Sequence, residues 1–384
     1  MSVYLKEYVR GAALREEHFE LRQAAIRPLA DGEALLETLC LSVDPYLRGC
    51  MTGMRNYYVP QLDVGAPVHS LGVARIAESR LPGYVAGELV VGNIDWSTRS
   101  ILSTDALAGR LVGGGALRRL TPPEEHPSRY LGVLGQTGVT AFFGVVAAAR
   151  VREGETMVVS AAAGAVGSVA GQIAKILGAR VIGLASSPEK RSVLVDRLGF
   201  DAAFDYRSVT LADELRELVP GGPDVYFDNV GGMVSQAVMG TMRRPARVIE
   251  CGQISSYDDQ NGGWTVDIRP IHAGGLLFQS FTPSHFAEFE PAALGQLKHW
   301  VDTGRIVALE TVHDGIESAP AALVGLFNGG NIGKAVVRLR QLSERSCASA
   351  FGRLCSTLVK ASGYSKGRGR RDHGIAASKT NSYA

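Results

Sequence analysis

The chain has 384 residues, 46% of them hydrophobic and 20% charged, with a formal net charge of +2. That length exceeds one typical domain, and no apolar run is long enough to span a bilayer, which argues against a helical membrane protein. The cysteines, Cys40, Cys50, Cys251, Cys347 and Cys355, are scattered without CxxC or zinc-finger spacing, as expected of a reducing compartment. Lys6, Glu7 and Arg10 come early with no apolar signal core after them, so a cytoplasmic location is expected.

Residues 2–123 carry short alternating apolar segments at 34–40, 68–76 and 89–91, broken by Gly, Pro and Asp, and read as β-rich with turns. From about 130 the pattern becomes strand, helix, strand. Strands are predicted at 157–160, 180–184, 203–205, 225–228 and 247–250, with four helical stretches between them. The expected fold class is therefore α/β, a doubly wound parallel sheet beside a β-rich domain.

Within this series the stretch 158–167 is the most informative. A β-branched run enters a glycine turn, and a helical pattern at 168–177 leaves it with Val169, Ala170, Ile173, Ala174 and Leu177 on one face. Strand, glycine turn and helix in this order form the context in which backbone N–H groups at a helix N-terminus bind pyrophosphate. Gly164 would let the backbone approach the phosphates and Gly167 would let the helix approach the strand. Ala162 stands where the first glycine is usual. The next strand ends in Ala185, Ser186 and Ser187 without the Asp or Glu that holds a ribose 2′-OH, and Lys190 and Arg191 open the next helix. Small hydroxyls and a cation suit a 2′-phosphate, so the expected cofactor is NADP(H).

Segment 306–339 holds two more short strands, at 309–312 and 335–339, around a helix at 319–327. It is expected to return to the β-rich domain. The boundaries expected are 1–125 for that domain, completed by about 305–340, and 126–304 for the cofactor domain, with the active site in the cleft between them. From Gln341 onward eight Lys or Arg stand against two acids, so this tail is +6 and the remainder −4. The tail, 341–384, reads as a basic, disordered, solvated extension with no nucleic-acid or membrane role.

Seven motifs lie in series along residues 1–340: LSVDPYLR at 41–48, TGVTAFFG at 137–144, AAGAVG at 162–167, GFD at 199–201, DVYFDNVGG at 224–232, CGQISSY at 251–257 and NIGK at 331–334. In that order they resemble the medium-chain dehydrogenase/reductase superfamily, in its zinc-independent branch of leukotriene B4 dehydrogenase/prostaglandin reductase and 2-alkenal reductase type. The resemblance implies a Rossmann domain, a GroES-like domain and a homodimer. Zinc-dependent relatives place a Cys where Asp44 stands, followed by a Gly-His-Glu ligand motif and a four-cysteine lobe; this sequence has none of these, so no metal is expected. A conjugated C=C accepts hydride at its β-carbon given only donors for the enolate oxygen. The expected chemistry is thus reduction of the alkene of a small-molecule enone or enal.

The same resemblance implies the site residues. Gly164, Ala165, Val166 and Gly167 would cradle the pyrophosphate, with Lys190 and Tyr206 at the 2′-phosphate and adenosine. Asn229 would sit by the nicotinamide ribose, Cys251 and Ile254 would form the nicotinamide wall, and Asn331 would reach the cofactor from the returning segment. Tyr257 would lie by the cofactor and donate to the enolate, and Tyr46 would line the cleft from the other domain. Arg48 reads as structural, holding Asp44 or a neighbouring loop. The family's Asp-Tyr pair is Ser280-Phe281 here, which would make the pocket less polar, and segment 56–67 with Tyr57, Tyr58 and Val59 is a candidate for its mouth. Two alternatives stay open: a quinone reductase of the same superfamily, with no need for Tyr257, and a non-catalytic NADPH-binding protein.

Overall fold

The computed structural model describes residues 1–23, 25–54, 60–103, 117–120, 126–257, 265–267 and 269–339. The tail from 341 and Tyr57, Tyr58 and Val59 therefore lie outside the described residues. Strands β1 (Ser2–Leu5) and β2 (Phe19–Arg22) form a small antiparallel pair. Then come β3 (Glu33–Ser42), β4 (His69–Ser79), β5 (Leu89–Asp95), β6 (Arg99–Ser103) and β7 (Arg118–Arg119). The alternating part supplies β8 (Thr156–Val159), β9 (Arg180–Leu184), β10 (Ala202–Phe204), β11 (Val225–Asp228), β12 (Ala246–Glu250) and β13 (Leu276–Ser280), and the last segment β14 (Glu310–Asp314) and β15 (Lys334–Arg338).

The helices used below are α1 (Leu47–Cys50), α2 (Gln136–Phe143), α3 (Ala165–Ile176), α4 (Pro188–Ser192), α5 (Leu211–Leu218), α6 (Gly232–Met239), α7 (Arg269–Gly274), α8 (Glu290–Asp302) and α9 (Ala319–Phe327). The six middle strands form one parallel sheet in the order β10-β9-β8-β11-β12-β13, a doubly wound arrangement. The returning segment joins the other sheet, whose order is β14-β15-β3-β4-β5-β7 with β6 on β3.

The parallel strands are apolar on both faces because both faces are covered. Val159, Phe227 and Ile249 pack under α2, α3 and α8, while Val158, Tyr226 and Val248 pack toward α5 and α6. Helix α3 is buried almost all round, Gln172 included. Its amide donates to the Val307 carbonyl and accepts from the Val307 N–H, at 3.1 and 2.7 Å, so a polar residue on a buried face is satisfied by the segment entering β14.

Strand β13 falls outside the predicted series for a physical reason. It is a sheet edge, and only Leu276 of its five residues is buried, so it lacks the apolar run of a central strand. Phe281, just after it, is 5% exposed, with its ring 6.4 Å from that of Phe227. The expectation that Ser280-Phe281 lowers the polarity of the pocket is corrected: Phe281 belongs to the core under the sheet, and Ser280 is exposed.

Candidate active site

In a sheet of this order, ligands bind beyond the carboxyl ends of the strands, where the chain switches direction between β8 and β11. The turn after β8 is shaped by Ala161, which takes the left-handed φ of 45° that a glycine would adopt easily. The carbonyl of Ala161 accepts the Gly164 N–H at 2.9 Å, and Gly164 caps α3. Ala162, at the usual first-glycine position, is fully buried and packs under the turn. A Cβ on Gly167 would lie 2.5 Å from the Ala161 carbonyl oxygen, so no side chain fits between helix and strand. Gly164, Ala165 and Val166 are half-exposed, and the leading N–H groups of a helix have no partner within it. That end of α3 suits an anion.

The returning segment closes over the turn. Gly333 donates to the Ala163 carbonyl at 2.7 Å and bridges to Gly164. A Cβ on Gly333 would fall 2.0 Å from the Leu309 carbonyl oxygen, in a backbone with φ 69°. The Asn331 amide donates to the Gly333 carbonyl at 2.8 Å, so Asn331 stands beside this contact. Next to it opens a cleft of about 660 Å³ lined by Ser187, Lys190, Arg197, Glu310, Gly330 and Asn331, among others.

Cations gather at the tip of β9. Ser187 caps α4 by accepting the Lys190 N–H at 3.2 Å. The Lys190 ammonium reaches across the cleft to the Gly329 carbonyl at 2.8 Å, and burial pulls its pKa below the usual lysine value against the opposing charge of Glu189. Arg207 donates to the Ser186 carbonyl and pairs with Asp205 at 2.9 Å. Arg191 pairs with Asp205 at 3.1 Å and donates to the carbonyls of Ala185 and Ser186. Tyr206, at the neighbouring tip of β10, packs partly buried against the core on the α5 and α6 side. Arg207 is not among the residues expected from the sequence, where its signal is a cation one residue beyond the Tyr of the β10 tip.

The other end of the site lies after β11 and β12. The Asn229 amide donates to the Ser160 carbonyl at 2.7 Å and its N–H to the Ser160 hydroxyl at 2.8 Å, which ties the β8 and β11 tips together. Ile254 donates to the Asn229 carbonyl at 3.4 Å, so Asn229, Cys251, Ile254 and Tyr257 form one group. The Tyr257 phenol folds back over its own turn, where it accepts from the Gln253 N–H at 3.5 Å. Burial, with Glu250 and Asp228 nearby, pushes the Cys251 thiol well up, which suits a wall residue and not a nucleophile.

Tyr46 belongs to the other sheet, in the turn between β3 and α1. Its ring packs on that core, and its hydroxyl is sequestered with no hydrogen-bond partner among the described residues. Two residues earlier, Asp44 accepts from the Lys334 ammonium at 2.7 Å, and Lys334 also donates to the Val43 carbonyl at 2.6 Å. Lys334 follows Gly333, so a short chain of contacts links the Tyr46 turn to the Ala163 carbonyl. Arg48 is fully buried and donates to the Val9 and Ala12 carbonyls, so the loop it holds is the N-terminal one. An orphaned buried hydroxyl is a cost that a hydrogen-bonding ligand or a bound water would offset. Tyr46→Phe is accordingly expected to leave the melting temperature unchanged or raised while lowering turnover; a loss of both would mark the hydroxyl as structural.

Among the described residues no group of three or more His, Cys, Asp or Glu could hold a metal ion, and no helix is long and apolar enough to cross a membrane. Two family models match, one described as the N-terminal domain of oxidoreductase over residues 2–109 and one as zinc-binding dehydrogenase over residues 165–298. Rat (Rattus norvegicus) prostaglandin reductase 1 is 38% identical over 343 residues, covering 87% of this chain and 97% of that protein. The NADP(+)-dependent 2-alkenal reductase of Nicotiana tabacum is 35% identical over 339 residues, covering 87% and 96%. The crystal structure of CurA from Vibrio vulnificus in complex with NADPH has a TM-score of 0.80 at 33% identity, covering 88% of this chain and 99% of that one. With its doubly wound sheet, its β-rich sheet and these matches along most of its length, the chain belongs to the zinc-independent medium-chain dehydrogenase/reductase family of oxidoreductases.

Proposed function

We propose that this chain reduces the C=C bond of α,β-unsaturated ketones or aldehydes with NADPH. NADP(H) is its cofactor. The α3 N-terminus at Gly164 to Gly167 would hold the pyrophosphate, Lys190 and Tyr206 the 2′-phosphate and adenosine, and Asn229, Cys251, Ile254 and Asn331 the nicotinamide half. When bound, the cofactor supplies a hydride for the β-carbon. The electron pair of the C=C then moves onto the carbonyl oxygen as an enolate, and a proton is taken up at the α-carbon. Tyr257 would donate a hydrogen bond to that oxygen, and Tyr46 would approach from the other sheet.

The observation that carries this reading is the residue set opposite the strand tips. Asp44, at the position of the zinc-ligand Cys of zinc-dependent relatives, is engaged by Lys334, and close to it the Tyr46 hydroxyl has no partner among the described residues. Hydrogen-bond donors suffice for an enolate, and the likeness to 2-alkenal reductase and prostaglandin reductase 1 supports the same substrate class. A cytoplasmic homodimer, with 1–125 and 305–340 as substrate domain and 126–304 as cofactor domain, is part of the proposal.

The test is NADPH oxidation with a 2-alkenal, an aryl enone and a quinone in parallel, and NADH as control. Enal or enone turnover with NADPH strongly preferred is expected. Tyr257→Phe should lower kcat for the enone by roughly 10²-fold, the scale of one lost transition-state donor, and leave any quinone turnover intact. Turnover of the quinone alone would overturn the reading.

A further inference from the structure

At the ends of β11 and β12 two buried acids stand side by side. Asp228 is fully buried and Glu250 is 9% exposed, and they are register partners on adjacent parallel strands. Register partners point to the same face, here the face of Tyr226 and Val248. Their surroundings differ sharply. One oxygen of Asp228 accepts from the Ser160 hydroxyl, the Tyr226 phenol and the N–H groups of Val230 and Gly231, at 2.8–3.1 Å, and the other accepts from Ser235. Such a donor set stabilises a carboxylate. Both oxygens of Glu250 are sequestered, and among the described residues no donor meets them in full hydrogen-bond geometry, although the Gln253 side chain lies close enough to favour the charged form. A charge on Glu250 would be desolvated, unpaired and beside a like charge.

We propose that Glu250 is a positioning residue for the nicotinamide half of the site, neutral when the site is competent, and that its ionisation against Asp228 loosens the paired turns that seat the cofactor. The proposal rests on the NADP(H) reading above. The turns after β11 and β12 are zipped together directly beyond the two acids. Cys251 and Gly252 donate to the Asp228 carbonyl at 2.8 and 3.1 Å, and Ile254 donates to that of Asn229 at 3.4 Å. The Ser255 N–H and hydroxyl both reach the Val230 carbonyl, at 3.1 and 2.6 Å. Repulsion across β11 and β12 falls on this ladder, which holds Asn229 and Tyr257 in one group.

The surroundings place the change near neutrality. Burial first, then Asp228, raise the Glu250 carboxyl to about 7, with the Gln253 side chain acting in the opposite sense. Among the described residues, α6, β13 and the π-helical segment Gly144–Ala149 carry no ionisable side chain against it, and Cys251 is itself pushed up by burial and the two acids. Helix α7 carries Arg269, exposed and paired with Asp267, and the exposed His272. Because the folded state raises this carboxyl above its ordinary value, the intact ladder is present at acid pH and is lost as pH rises through about 7.

The experiment is the Kd for NADPH, by fluorescence titration of the full chain from about pH 6 to about pH 8.5, for wild type and Glu250→Gln. The 2′-phosphate itself ionises near pH ~6, but does so equally in both proteins. Wild-type affinity is expected to fall roughly tenfold relative to the variant across that range, equivalent to about one pKa unit of coupling. The neutral isostere should hold the acid-side affinity throughout. Superimposable profiles would overturn the proposal. Should the variant not fold, amide hydrogen exchange of residues 251–257 in the unliganded wild type decides, after correction for intrinsic rates. Acceleration through about pH 7 supports the proposal and its absence overturns it. Failure of the cofactor reading is a separate result, no NADPH binding by wild type at any pH, and leaves the exchange measurement valid.

Discussion

Replacing Lys334 by methionine is expected to destabilise the fold by about 3–5 kcal/mol, the usual cost of leaving one member of a buried ion pair behind. Lys334 is 3% exposed and Asp44 9% exposed, and they meet at 2.7 Å. Methionine keeps most of the stem's volume, so the loss reports the stranded carboxylate and not a cavity. Thermal unfolding should show it as a fall of roughly 10 °C in Tm. Adding Asp44→Asn should recover a large part of the loss, although Ser42, which donates to Asp44, must then accept a weaker partner. The pair lies within the β-rich sheet but adjoins its contact with the parallel-sheet domain, since Gly333, the residue before Lys334, bonds to Ala163. In the folded fraction the KM for NADPH should therefore rise more than kcat falls. A variant that melts with wild type would show the pair to be solvated and the joint to lie elsewhere.

The parallel sheet was legible in the sequence for a reason particular to such sheets. Val158, Val159, Val225 and Phe227 are buried on both faces, so each central strand is a continuous apolar run between turns. The glycine turn after β8 was legible because its glycines answer to local geometry, as Gly167 shows with the Ala161 carbonyl oxygen 2.5 Å from its missing Cβ. What depends on chain segments far apart was not. Asp44 and Lys334 are 290 positions apart, and no periodicity links them. Asp228 was visible only as one letter of a motif, whereas its role as acceptor for Ser160, Tyr226 and Ser235 emerges once three elements converge. The edge strand β13 escaped because half its surface faces outward, and Phe281 was assigned to the pocket because its core partner Phe227 lies on another strand.

Removing both cations at the β9 tip, as Lys190→Ala with Arg207→Ala, is expected to weaken NADPH roughly 10²-fold and to leave NADH nearly unchanged. The Lys190 ammonium has three donors, of which the Gly329 carbonyl takes one, so it can keep that bond and still donate to a phosphate. A charge-assisted hydrogen bond of this kind contributes about 1.5–3 kcal/mol. Arg207 adds less, since its side chain is 60% exposed and shares its charge with Asp205. Together they should supply about 3 kcal/mol, which corresponds to a Kd ratio on the order of 10². Lys190→Ala alone should account for the larger share, and added salt should narrow the difference between wild type and variant. NADH lacks the phosphate and meets neither cation, so its KM is the internal control. An equal loss for both cofactors would mean that the cations hold the cleft open by bonding Gly329 and Ser186, and the selectivity would then have to come from Ser186 and Ser187 themselves.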